Sequence, residues 1–146
     1  MKDLALEDVY IYLLERTIRE IKRDFNRRLK ATYPGLTITS DQWVILKRIS
    51  EREALNQREV AAVTGKDPAS ITRTIDLLVK KNWVERQDVP GDRRAYQVVL
   101  TTEGKALVQQ LTPLAQATRE SGLANVSAAE FELLKTVLNK IYSNVS

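Results

Sequence analysis

The chain has 146 residues, with 23 Lys and Arg against 19 Asp and Glu, and it contains neither His nor Cys. A chain of this length fits one domain of ordinary size and can bury a core without disulfides. Without Cys it has no disulfides, thiolate nucleophiles or thiolate metal sites, and without His it has no imidazole base or histidine ligand. Carboxylates and lysines remain, but most hydrolase and zinc chemistry is excluded, and we expect no enzyme, no cofactor and no metal site.

The net charge of +4 permits a nucleic-acid partner without identifying one. The positive excess is shared by residues 1–39 and 40–100 and is absent from 101–146. No apolar run reaches about 18 residues, and the first residues lack the basic-then-apolar order of a signal peptide. We therefore expect a cytoplasmic protein with no membrane partner.

Apolar residues recur in steps of three and four between Asp3 and Thr32, which predicts one long helix with a single apolar stripe. The stripe consists of Tyr10, Leu14, Ile18, Ile21, Phe25 and Leu29. The basic residues on the other face also allow a helix that lies on a membrane surface, but interleaved acidic residues favour pairing with another helix. We therefore expect a second subunit to cover this stripe.

Three helix starts follow, with capping residues Thr39, Asn56 and Asp67. The first two have Gln42 and Glu59 three residues later, which is the pattern of a capping box. The predicted helices end near Arg52, at Gly65 and near Asn82. Within the third, Ile71, Ile75 and Leu78 share one face, which predicts that this face is buried.

Two extended runs, Trp83 to Val89 and Arg94 to Leu100, flank the sequence Pro90-Gly91-Asp92-Arg93 and predict a β-hairpin. Thr101 is expected to cap the next helix. A capping box that begins at Ser127 predicts a last helix near the end of the chain.

Two short helices joined by a turn that contains Gly65 predict a helix-turn-helix, whose second helix typically enters the DNA major groove. A hairpin directly after it predicts a winged helix. With the apolar face of the second helix turned inward, the outward residues include Ala69, Ser70, Thr72, Arg73 and Asp76. A small residue at 69 lets the backbone approach the bases, and the two hydroxyl groups can bond phosphates or base edges. Arg73 can hold a guanine edge with two hydrogen bonds.

The tip of the hairpin adds a second basic element, in which Asp92, Arg93 and Arg94 follow the turn. A guanidinium at a narrow tip suits the minor groove, where the negative potential is highest. We interpret Asp92 as an orienting residue that holds Arg94 or Arg86 through a salt bridge. The alternative interpretations are a solvated helix face and an ordinary surface turn.

These residues resemble a known family. Leu100-Thr-Thr-Glu-Gly104, after Asp92-Arg-Arg94, resembles the D-x-R…LT-x-x-G signature of the MarR-type transcriptional regulators. Further matches are Ile38-Thr39-x-x-Gln42-Trp43-x-x-Leu46 and Ser70-Ile-Thr-Arg73-x-x-Asp76-Leu-Leu. The resemblance implies a mainly α fold with a small β-hairpin wing: a winged helix-turn-helix flanked by N- and C-terminal dimerisation helices. It covers essentially the whole chain, so we expect one domain over 1–146, with 1–35 and 102–146 for dimerisation and 36–101 for DNA binding.

The resemblance also implies a homodimer that binds double-stranded DNA, and we expect a repressor of a pseudo-palindromic promoter site. Matched by motif, Ser70, Thr72 and Arg73 would enter the major groove, and Arg94, oriented by Asp92, would lie at the wing. The family usually has Gly after the recognition helix, where this chain has Asn82; Asn tolerates the left-handed conformation, so we expect the turn to form.

The missing residue types restrict what such a regulator could sense. Members of the family that sense peroxides use Cys, and those that sense zinc use His, so the resemblance leaves a small lipophilic or anionic aromatic effector, or none. Its place would be the cleft between the dimerisation helices and the winged helix, and the candidate lining residues are Tyr10, Tyr12, Tyr33, Trp43 and Trp83.

Two other functions were weighed: a protein-binding module and an enzyme. A winged helix used for protein–protein contact, without specific DNA binding, agrees with the modest net charge. An enzyme is disfavoured, because its best carboxylate pairs, Glu7 with Asp8 and Glu51 with Glu53, are too closely spaced on a helix to face a common point.

Overall fold

The computed structural model describes residues 3–146, apart from the side chain of Arg93. The elements are α1 (Tyr10–Thr32), α2 (Ser40–Arg52), β1 (Ala54–Asn56), α3 (Gln57–Thr64), α4 (Pro68–Lys80), β2 (Val84–Val89), β3 (Asp92–Leu100), α5 (Thr102–Gly122) and α6 (Ala128–Val145). The fold is mainly helical with a small antiparallel sheet, as the sequence predicted.

The helix starts follow the capping pattern of the sequence. The side chains of Thr39 and Asn56 each accept a hydrogen bond from the backbone N–H three residues later. Their own backbone N–H groups donate to the side chains of Gln42 and Glu59, which completes a capping box at each start. Asp67 accepts from the N–H of Ser70, and Pro68 occupies the first turn of α4. Gly65 ends α3 with φ +66°, a left-handed conformation in which an L side chain would be strained. These local signals therefore set the helix-turn-helix.

The long first helix is shorter than predicted. A short 3₁₀ turn, Leu6–Asp8, precedes α1, which begins at Tyr10 rather than near Asp3. Leu4 and Leu6 are exposed, so in a single chain no packing favours helix at these residues. The expectation of a helix from Asp3 was wrong by about two turns.

The wing is a three-stranded sheet in the order β1-β3-β2, not a two-stranded hairpin. The additional strand β1 is only three residues long and places Leu55 opposite Val98. The hairpin turn is also tighter than predicted, because β3 begins at Asp92 and leaves only Pro90 and Gly91 between the strands. After α4, Asn82 has φ +61°, so the left-handed turn forms without a glycine, as predicted.

The core lies between α2, α3, α4, the sheet and the first half of α5. Its fully buried side chains include Ile45, Leu46, Ile49, Val60, Ile71, Ile75, Leu78, Val98 and Leu111. The helices at the two ends of the chain are much less buried than this core. In α1 the buried residues are Phe25 and Leu29, and none of the residues of α6 is buried. The described chain thus consists of a well-packed winged helix with two projecting amphipathic helices.

Candidate nucleic-acid interface

Helix α4 has one buried face and one open face. Its buried residues Ile71, Ile75 and Leu78 hold it against the core, as the periodicity predicted. On the other face Ala69, Thr72, Arg73 and Asp76 are exposed, and Ser70 is half-buried. The residues predicted to contact DNA through the second helix therefore lie together at its N-terminal half.

Arg73 is held by a short chain of hydrogen bonds. Its guanidinium donates to Oγ of Ser70 at 3.3 Å, and that hydroxyl donates to Oδ2 of Asp67 at 2.7 Å. The backbone N–H of Ser70, then its hydroxyl, lower the pKa of Asp67, and the charge of Arg73 adds to this effect. Asp67 thus stays anionic at the helix N-terminus, where negative charge is favoured, and places Arg73 over the first turns of α4.

The hydroxyl of Thr72 is already used inside the protein. It donates to the carbonyl of Pro68 at 3.0 Å and accepts from Nε2 of Gln57 at 3.0 Å. Gln57 in turn accepts a hydrogen bond from the hydroxyl of Tyr96 at 3.0 Å. A chain of side chains therefore links α4 to α3 and to the wing strand β3.

A second link joins α4 to the wing. The guanidinium of Arg86 on β2 forms an ion pair with Asp76 and lies 5.2 Å from the centre of the Tyr96 ring. Burial alone would lower the pKa of Arg86, but the hydrogen bonds to Asp76 and Tyr96 raise it above its ordinary value. These two links fix the direction of the wing relative to α4.

Sequence reasoning missed Gln57 and Tyr96, and it gave Arg86 the wrong partner. Gln57 and Tyr96 are 39 residues apart, and their contact follows from the fold rather than from a local motif. One indication of a role was available for Tyr96: it lies in a predicted strand of the wing, which follows the helix-turn-helix directly.

Asp92 orients the wing in a different way from the one predicted. Its Oδ1 accepts from the backbone N–H of Arg94 at 3.0 Å. Among the ion pairs of the described side chains, none joins Asp92 to Arg94 or to Arg86. The partner of Arg86 is Asp76. The predicted salt bridge was therefore wrong, and Asp92 shapes the backbone of the tip instead. Arg94 is exposed there, and the side chain of Arg93 lies outside the described part of the structure.

An apolar cavity of about 490 Å³ lies between the winged helix and the projecting helices. Phe25 of α1, Trp43 of α2 and Phe131 of α6 line it, together with the cations Lys22 and Arg119. Of the five aromatic residues predicted to line an effector cleft, this cavity includes Trp43. Tyr10, Tyr12, Tyr33 and Trp83 are not among the residues that line it.

The carboxylates considered for catalysis are exposed, and Glu51 pairs with Lys47 and Arg48. Within residues 3–146, no cluster of three or more acidic side chains has the arrangement of a metal site. Over the same residues, no helix combines the length and the apolar character needed to cross a membrane.

A helix-turn-helix with an open outer face, followed by a β-hairpin that is joined to its second helix by an ion pair, defines the class of winged-helix proteins. A sequence model of the MarR family matches residues 38–96. A mutant of MarR from E. coli in complex with operator DNA is 30% identical, covers 96% of this chain and 99% of its own, and superposes with a TM-score of 0.81. This chain belongs to the MarR family of transcriptional regulators.

Two further solved structures extend this comparison. BpsR of Bordetella bronchiseptica, whose DNA binding is regulated by 6-hydroxynicotinic acid, is 25% identical with a TM-score of 0.82, over 97% of this chain and 98% of its own. The apo form of wild-type MarR from E. coli is 29% identical with a TM-score of 0.69, over 97% of this chain and 98% of its own.

Proposed function

We propose that this chain is a homodimeric, sequence-specific DNA-binding regulator that represses transcription from a pseudo-palindromic promoter site. The observation that carries the proposal is the open face of α4, where Arg73 is exposed and held in place by Ser70 and Asp67. The comparisons support it, because the chain superposes better on MarR with operator DNA than on its apo form, with TM-scores of 0.81 and 0.69. A target on chromosomal DNA would place the protein in the cytoplasm, and its function requires no catalytic residue.

In this proposal α4 enters the major groove. Ala69 lets the helix approach the bases, and Arg73 donates to a guanine edge. Ser70 and Thr72 take part as well, although the bonds of Ser70 to Asp67 and Arg73 give it the role of holding the arginine. The wing tip, with Arg93 and Arg94 on a backbone shaped by Asp92, enters the adjacent minor groove.

The projecting helices would form the dimer. Six large apolar residues of α6 are between 38% and 79% exposed, and Ile18 and Ile21 of α1 are about half exposed. A second copy of the chain would cover both, which assigns 1–35 and 102–146 to dimerisation and 36–101 to DNA binding. Two recognition helices related by a two-fold axis would contact half-sites about one helical turn apart, in a site of roughly 16–20 base pairs.

The cavity beside Trp43 would hold a small aromatic acid that releases the DNA. Its aromatic lining suits a flat apolar ring, and Lys22 and Arg119 suit a carboxylate. The aromatic acid that regulates BpsR supports this class of ligand. A panel of phenolic and other lipophilic acids should therefore include a compound that displaces bound DNA and quenches Trp43 fluorescence, measured in a Trp83→Phe background. Release of DNA without a change at Trp43 would place the effector elsewhere.

Selection of bound duplexes from a random-sequence library, followed by titration of the winning duplex, tests the proposed function. Arg73→Ala should cost about 1–3 kcal/mol of binding free energy and relax the preference at one base pair of each half-site. Lys140→Ala removes the same charge from α6 and should leave this preference unchanged.

Three results would contradict parts of the proposal. An equal loss on all sequences would make Arg73 a phosphate contact. Selection of no duplex at physiological salt would favour a winged helix that binds another protein. A binding stoichiometry of one chain per site would contradict the dimer.

A further inference from the structure

Thr72 presents an unusual combination of an exposed position and an occupied hydroxyl. A threonine hydroxyl has one proton to donate and two lone pairs to accept with. The proton goes to the carbonyl of Pro68, and one lone pair accepts from Nε2 of Gln57, both at 3.0 Å. The polar part of the side chain is therefore largely used within the protein.

The same two bonds fix the rotamer of Thr72. A β-branched side chain on a helix has few allowed χ1 values, and a hydroxyl bonded to the carbonyl four residues back selects among them. Gln57 cannot move away freely, because the hydroxyl of Tyr96 holds its Oε1 at 3.0 Å. The exposed group that Thr72 offers to a partner is then its methyl group, in one orientation.

We propose that the methyl group of Thr72 contacts the 5-methyl group of a thymine and makes this residue a determinant of sequence specificity. The inference rests on the proposed DNA-binding function, in which the N-terminal half of α4 faces the base edges. Thymine is the base that presents a methyl group in the major groove, and threonine methyl groups pack against it. Thr72 would thus favour thymine beside the base pair that Arg73 contacts.

The competing possibility is a hydrogen bond from DNA to the remaining lone pair of the hydroxyl. An adenine or cytosine amino group could donate such a bond. Removing single methyl groups distinguishes the two, because deoxyuridine differs from thymidine only in lacking the 5-methyl group and keeps every hydrogen-bonding group.

The experiment uses the full-length protein and the duplex that it selects from a random-sequence library. Each thymine of the half-site is replaced in turn by deoxyuridine, symmetrically in both half-sites, and the dissociation constant is measured for the wild type, Thr72→Ser and Thr72→Val. Burying one methyl group is worth about a fourfold change in affinity per half-site. For the wild type we expect such a loss at one thymine position and little change at the others.

The two variants identify the residue responsible. Thr72→Ser keeps the hydroxyl and its two bonds but has no methyl group, so it should bind the thymine and deoxyuridine duplexes equally. Thr72→Val keeps a methyl group and loses the hydroxyl, so it should retain the preference for thymine. Neither change alters charge, and the salt dependence of binding should stay that of the wild type; circular dichroism checks that both variants fold.

Each other result overturns the inference in a recognisable way. If no thymine position depends on its methyl group, or if Thr72→Ser keeps the wild-type dependence, Thr72 does not contact a thymine methyl although the protein binds DNA. If no thymine position depends on its methyl group and Thr72→Val, but not Thr72→Ser, weakens binding to the selected duplex, the lone pair of the hydroxyl is the contact. If the wild type selects no duplex, the proposed function itself fails, and the inference fails with it.

Discussion

The winged helix and the two projecting helices of this chain differ in how their apolar residues are covered. In the winged helix, Ile45, Ile75 and Val98 are fully buried by other parts of the same chain. In α6, Leu138 is 38% exposed and Val145 is 79% exposed. Both regions have regular helices, and α6 begins with a capping box as α2 and α3 do, so local helix signals do not explain the difference.

The difference shows which part of the protein is complete in one chain. A fold that buries its apolar face needs no partner, whereas an apolar helix face of several turns is rarely left in water. We therefore expect changes in the winged helix to act on folding at any protein concentration. Changes in the projecting helices should act on association and should depend on concentration.

The largest effect is expected from a charge placed on the exposed apolar face of α6. Leu138→Glu would leave an unpaired carboxylate in the proposed interface, at a cost of about 3–5 kcal/mol, or on the order of 100-fold or more in the dissociation constant. Analytical ultracentrifugation should show a dimer for the wild type at micromolar concentration and a monomer for the variant.

Asn139→Glu is the matched control, since it adds the same charge at the next position, a polar residue of the same helix. It should leave the dimer intact. If the wild type is itself monomeric at these concentrations, or if both variants associate normally, the projecting helices need no partner to cover them. The two regions would then not differ in their need for a second chain.

The extent to which the sequence predicted each region follows from the range of the contacts involved. Capping boxes at Thr39 and Asn56 join groups three residues apart, so they could be seen in the sequence and were confirmed. Strand β1 could not be seen, because its three residues become a strand only by pairing with β3, more than 40 residues later. Arg86 has Asp76 as its partner for the same reason: packing of the wing on α4 decides it.

The exposed residues of α4 were predictable because burial of Ile71, Ile75 and Leu78 leaves the opposite face open. The hydrogen bonds of these residues could not be predicted from the sequence. Periodicity places Thr72 on the open face, but only the folded chain brings Gln57 to its hydroxyl. Sequence patterns thus indicated which face of α4 is open, and the structure was needed to show which chemical groups that face offers.

A smaller effect, on the free energy of unfolding, is expected from glycine substitutions in α5. This helix begins in the winged helix and ends between the projecting helices, and its two ends should respond differently. A Cβ on Gly104 would lie 1.9 Å from the carbonyl oxygen of Trp83, whereas one on Gly122 would meet nothing within 4 Å. This close approach gives a physical reason for the glycine of the LT-x-x-G motif. Gly104→Ala should lower the free energy of unfolding by about 1–3 kcal/mol because the backbone at Trp83 has to move.

Gly122→Ala is the control on the same helix. Alanine is the better helix former, so this change should be neutral or stabilise by up to about 1 kcal/mol. Urea denaturation at several protein concentrations measures both. Equal effects of the two substitutions would mean that the two ends of α5 are equally packed, contrary to the difference described above.

The smallest effect concerns Asp24, which lies where the two regions meet. Hydrogen bonds from Arg28, and also from Arg27, lower the pKa of Asp24 from 3.8 to about 2, and Arg28 also donates to Ser121 on α5 at 2.7 Å. A carboxylate with a lowered pKa stabilises the fold above its ordinary pKa, and this contribution is lost as the pH falls through the lowered value. Asp24→Asn should therefore be less stable than the wild type at pH 6, with a difference that shrinks below pH 4 and vanishes near pH 2. Urea denaturation over this range measures it. A difference that stays constant with pH would mean that Asp24 joins α1 to α5 by packing alone and not by its charge.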